Sequence, residues 1–222
     1  MAIRNCAAQQ RLEADADLAA LDPRCLSLVR WADDDSAMTW REEFEMLAAA
    51  GVVIGPGLTE TELARVESVV DAHLPDDLRT FLSGGLPLGK GFPNWRHADS
   101  NSIRDQLTWP FEGIAFDIEQ NAFWLDAWGV RPPDLAEALD IAQTQIEAAP
   151  RLIPIMGHRY LPAEPDLPGN PVLSVYQTDI IYYGNDLATY LRCEFHQLSY
   201  ADAVHDGARR VRFWSDLVDA NG

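Results

Sequence analysis

The sequence holds one lysine, Lys90, against sixteen arginines, and three cysteines, Cys6, Cys25 and Cys193, with no CxxC spacing among them. A scattered, odd set of thiols supplies neither a disulfide framework nor a zinc site, and it reads as the product of a reducing cytoplasm. Long apolar runs are also missing. The longest, from Leu47 to Ile54, is far too short to span a bilayer, and the opening MAIRNCAAQQRLEADADL has no apolar core of signal-peptide length. A cytoplasmic protein with no membrane contact is expected. No GxSxG, HExxH or GK[ST] pattern occurs; Gly84, Gly85, Gly89 and Gly91 form a glycine-rich stretch without the preceding strand of a phosphate loop. No cofactor and no metal are expected.

What the chain has in excess is negative charge. Its 222 residues are 47 % hydrophobic and 23 % charged, ordinary for a globular domain, but the net charge is −18. Such a surface repels phosphate backbones and anionic lipid, which argues against nucleic acid, and it speeds encounter with a basic protein.

Local signals are strongest between Leu58 and Gly85. Thr59 and Glu62 have capping-box spacing, and Leu58 with Leu63 has that of a hydrophobic staple. Leu63, Val66, Val69, Val70 and His73 continue the helical period, with Glu67 facing solvent, until Pro75 forces a new start. Leu78, Phe81 and Leu82 then form the stripe of a second helix, with Gly84-Gly85 tolerating a left-handed cap. A helix is expected over Thr39–Ala50, a loop from Pro87 to Leu107, and a half-buried strand where Ile114, Phe116 and Ile118 alternate with polar or small residues. Leu135 to Ile146 reads as a helix, Arg151–Met156 as a strand, and Val172–Gln177 with Asp179–Tyr183 as a hairpin about Thr178. Asn185 is the expected cap of a following helix. The order predicts an α+β fold with a mostly antiparallel sheet and helices packed to one side, over residues 39–222, preceded by an acidic extension over residues 1–38.

GLTETELARVE with HLPDDLRTFLSGG, FDIEQNAFW with WGVRPPD, and LIPIMGHRYLP with GNPVLSVYQTDIIYYGNDLATYL occur in that order. In these motifs the chain resembles the SUKH superfamily, which includes SMI/KNR-type cell-wall-assembly regulators and many bacterial immunity proteins. The resemblance covers roughly residues 40 to 218. It implies a non-enzymatic α+β domain that binds another protein through a cleft beside the sheet. For bacterial members it implies an antidote that neutralises a toxin domain.

His158, Arg159 and Tyr160 form the most chemical-looking patch, and the resemblance makes them a shared motif. His158 has the residue type of a general base that Asp179 could orient, which keeps open a small-molecule or enzymatic pocket around His158, Arg159, Tyr160 and Asp179. The competing reading has His158 and Arg159 pinning a strand to its loop. His73 with Asp76 and Asp77, and Glu194 with His196, have metal-like residue types but sit where helix ends explain them. Glu194 beside Cys193 disfavours a thiolate. Trp95, Trp109, Phe111, Trp124 and Trp128 lie in or beside loops and are candidate interface anchors. The expectation is therefore an acidic, aromatic-lined protein-binding domain, with a regulatory scaffold of the same fold as the other reading.

Overall fold

The computed structural model describes residues 39–205 and 207–220; the expectation of an acidic extension over residues 1–38 lies outside them. The first unit is helical. Helix α1 (Arg41–Ala49) buries Phe44 and Leu47 and leads into strand β1 (Val53–Gly55). Helix α2 (Glu60–Val70) begins at the Thr59–Glu62 capping box, in which each side chain reaches the other's backbone N–H. It ends earlier than its apolar period suggests. Asp71 takes a left-handed cap at φ 60°, and the Glu67 carboxylate turns inward to accept from the Leu74 N–H and the Arg79 guanidinium.

Helix α3 (Asp76–Gly84) follows, and strand β2 (Leu86–Leu88) pairs antiparallel with β1. Gly85 between them is extended at φ −174°, not left-handed. It is glycine for space, since a Cβ there would lie 2.9 Å from Ile54 and 3.0 Å from the Phe44 ring.

The region expected as a strand around Ile114 is instead part of the longest helix, α4 (Asn101–Gln120). Ile103, Pro110, Ile114, Asp117 and Ile118 are its buried residues and recur at three, four and seven, whereas Phe116 is 41 % exposed. The local alternation is a by-product of that helical stripe. Pro110 sits in the middle of α4, which masked the pattern.

Helix α5 (Leu135–Glu147) starts at the Asp134 cap. The main sheet is β3 (Leu152–Met156), β4 (Arg159–Pro162), β5 (Val172–Tyr176) and β6 (Asp179–Gly184), antiparallel throughout and in sequence order. Helices α6 (Leu187–Glu194), α7 (Tyr200–Ala203) and α8 (Trp214–Ala220) complete the chain. Asp186, not Asn185, caps α6, through a reciprocal pair with Thr189.

The α+β class and the antiparallel sheet are as expected. Helices, however, cover both faces of the sheet. Ile153, Leu161 and Val172 pack with α1, α2, α3 and α6, while their chain neighbours Leu152, Tyr160 and Leu173 pack with α4, α5 and α8. The period-2 alternation of each strand thus feeds two cores.

Candidate functional site: an uncovered stretch of sheet

Two tight turns define one end of the sheet. Gly157-His158 joins β3 to β4, and Gln177-Thr178 joins β5 to β6. The second turn is held from below. Asp117, buried on α4, accepts from the Thr178 N–H at 2.9 Å and its hydroxyl at 2.6 Å. Gly113, one helical turn earlier, leaves room for Gln177, whose Cα would stand 2.8 Å from a Cβ there.

The register then fixes which side chains share a face, because directly paired residues point the same way. Arg159 pairs with Ser174 and Ser174 with Ile181; nearer the turn Tyr176 pairs with Asp179. This is the face on which α6 lies, through Leu187, Tyr190 and Leu191. Helix α6 stops short of the turn end, so Tyr176 is 44 % and Ile181 36 % exposed, with Asp179 and His158 exposed beside them. Tyr200, 47 % exposed, borders the same area from α7, donating its hydroxyl to the Tyr182 carbonyl and setting its ring against Tyr183. The His158 and Trp109 rings both lean on Tyr176, and the Trp109 indole donates to the Val175 carbonyl. Aromatic and aliphatic surface next to an exposed carboxylate is the result.

Arg159 forms the floor. Its guanidinium carbon lies 3.9 Å from the Tyr183 ring centroid, one Nη donates to the Ser174 hydroxyl at 3.0 Å, and Nε stands 3.6 Å from Glu194 Oε2. That last distance is an ion pair but not a hydrogen bond. Arg159 Nε, Glu194 Oε2 and the Tyr190 hydroxyl are buried without a hydrogen-bond partner among the described residues. Partial burial, and then the neighbouring Arg159 charge, hold the His158 imidazole below its ordinary value of 6.5.

Of the residues singled out in the sequence, the structure brings Trp109, His158, Arg159 and Asp179 to this end of the sheet. His158 and Asp179 share no hydrogen bond among the described residues. Tyr160 points the other way, buried against α4, where its hydroxyl donates to the Gln106 carbonyl at 2.8 Å. Burial pushes that phenol well above its usual range, so it stays a donor. His158, Arg159, Tyr160 and Asp179 therefore do not line one pocket. Trp95 is 2 % exposed and belongs to the first core. Phe111 lines a separate cleft by β3. Trp124 and Trp128 are half-buried and meet at right angles near α8, with ring centroids 5.1 Å apart.

Tyr176, Ile181, Tyr200 and Glu194 were not singled out as partners in the sequence. A two-residue turn at Gln177-Thr178, taken literally, would have placed Tyr176 opposite Asp179 and Ile181 opposite Ser174.

Charge on the rest of the molecule is unevenly available. Arg65, Arg79, Arg96, Arg192, Arg210 and Arg212 are each engaged by the chain's own carboxylates. Among the described residues no helix is long and apolar enough to cross a membrane, and no group of three or more His, Cys, Asp or Glu side chains is placed to hold a metal ion. No family model, curated protein or solved structure matches this chain.

Proposed function

We propose that this chain is a non-catalytic protein-binding domain that receives a basic partner on the uncovered stretch of sheet. The observation that carries the reading is the row of exposed Tyr176, Ile181 and Tyr200 around Asp179 and Arg159, in a chain of net charge −18. Large apolar side chains grouped together and left uncovered are a usual signature of a docking site, and tyrosine is among the residues that dominate interface energy. The net charge accelerates approach of a basic protein, and the apolar row then holds it.

The buried polar atoms of Arg159, Tyr190 and Glu194 have unused hydrogen-bonding capacity at the floor of the same surface. The resemblance to the SUKH superfamily supports a further step: an immunity-type antidote, acting in the cytoplasm, whose carboxylates take the place of phosphates on a toxin domain.

Capture from a lysate of the source cells tests the reading, using the wild-type chain beside a Tyr176→Ala/Ile181→Arg variant. Both positions are exposed, so the variant keeps the fold. The reading expects a Lys/Arg-rich protein that the wild type retains at low salt, releases on raising salt, and that the variant fails to retain. Equal retention by both chains, or a partner indifferent to salt, contradicts it.

A further inference from the structure

The described chain begins beside the uncovered row. Trp40, just ahead of α1, donates its indole N–H to the Thr80 hydroxyl at 3.1 Å and sets its ring edge-on to Phe81, with centroids 5.2 Å apart. In the first turn of α1, Glu42 and Glu43 hold the Arg192 guanidinium at 3.2 Å and 2.7 Å. Arg192 lies in the last turn of α6, and Glu194, two residues on, stands 3.6 Å from Arg159. Arg159 pairs across the sheet with Ser174, and Ser174 with Ile181. These ion pairs fix the start of α1 at the same end of α6 that borders the row.

Residues 1–38, outside the described residues, join the molecule at this point. One stretch of them differs from its surroundings. Pro23 to Ala32, PRCLSLVRWA, carries Leu26, Leu28, Val29 and Trp31 and no carboxylate, while Asp22 precedes it and Asp33, Asp34 and Asp35 follow. Trp31 stands eight residues before Thr39. An extended chain of that length spans about 27 Å, against about 14 Å across a sheet of four strands, so the stretch can reach the row. A tether this short also presents it at an effective concentration on the order of millimolar, at which contacts too weak to join separate molecules suffice.

We infer that Pro23–Ala32 seats on the turn end of the sheet of its own chain, its apolar side chains against Tyr176, Ile181 and Tyr200, as an internal stand-in for the partner. Its lack of carboxylates spares it the repulsion that the flanking aspartates meet on a molecule of net charge −18. A second copy would bring the whole of that charge to the same face and is the poorer occupant. Resting on the reading of the row as a docking surface, this contact adds its regulation: a partner displaces the stretch, and the amides of 174–181 gain their full protection only when it does.

Photo-crosslinking of the whole 222-residue chain, alone in solution, tests this contact, with p-benzoylphenylalanine in place of Tyr176 and the products mapped by mass spectrometry. Irradiation should join position 176 to Pro23–Ala32 within one chain, and the same label in place of Tyr200 should mark the same stretch. In place of Leu167, 54 % exposed between β4 and β5 at the other end of the sheet, it should not. In a Leu28→Asp/Trp31→Asp variant the crosslink from 176 should be lost, with the melting temperature unchanged. No crosslink from 176 to Pro23–Ala32, one that joins two chains, or one that persists in that variant overturns the inference. Failure of the docking reading shows elsewhere, as equal capture from the lysate by the wild type and the Tyr176→Ala/Ile181→Arg variant. Unequal capture without the crosslink would sink the internal contact alone.

Discussion

The Tyr160 hydroxyl donates at 2.8 Å to the carbonyl of Gln106, which is the carbonyl that Pro110 leaves without a helical N–H. A proline in a helix interior removes one i→i−4 hydrogen bond, and here a strand residue from across the core replaces it. The exchange ties α4 to β4 and lets the longest helix carry its proline.

Tyr160→Phe should therefore cost about 1 to 2 kcal/mol, the price of leaving a buried carbonyl unpaired. In a Pro110→Ala background the alanine N–H can serve Gln106, and the same change should cost clearly less. Urea denaturation of the four chains in a double-mutant cycle reads the coupling directly. A cycle that closes with no coupling would detach the tyrosine from the proline.

Arg159 and Glu194 are a close ion pair in which neither Nε nor Oε2 has a hydrogen-bond partner among the described residues. Removing one charge strands the other in a partly dry site, so Arg159→Met alone should destabilise by about 2 to 3 kcal/mol. Arg159→Met with Glu194→Leu should recover most of that loss. If the double variant is as unstable as the single, the packing of the guanidinium on Tyr183 is the larger contribution, and the pair is secondary.

The depressed His158 value carries a pH dependence with a definite sign. A histidine whose folded value lies below its unfolded one contributes stability that is fully present above about 6.5 and is lost as pH falls through the lower folded value. The wild type should weaken between neutral and mildly acidic pH more than His158→Gln does. In Arg159→Met, removal of the like charge should move the His158 titration upward in NMR. An unchanged titration there would assign the depression to burial alone.

How much of this was legible follows the range of each interaction. The capping box at Thr59 and Glu62, the helix from Leu135 and the hairpin about Thr178 are local, so a few adjacent residues declare them. Helix α4 was not legible, because Pro110 argues against a helix and its remedy, Tyr160, lies fifty positions further on. The early end of α2 depended likewise on Glu67 reaching Arg79 and the Leu74 N–H. At the candidate site, His158, Asp179 and Trp109 were visible as residue types. That Tyr160 turns away while Ile181 and Tyr176 remain uncovered depends on where α6 ends over the sheet, and only tertiary packing decides that.

The central claim is that a partner covers the turn end of the sheet. Hydrogen–deuterium exchange of the chain with and without its captured partner tests it most directly. The account predicts new protection concentrated in residues 157–160, 174–181 and 199–203, with the amides around Phe111 and Ile146 unchanged. Protection confined to the cleft by β3 or to the outer face of α5, with the β5–β6 turn exchanging as before, would contradict it.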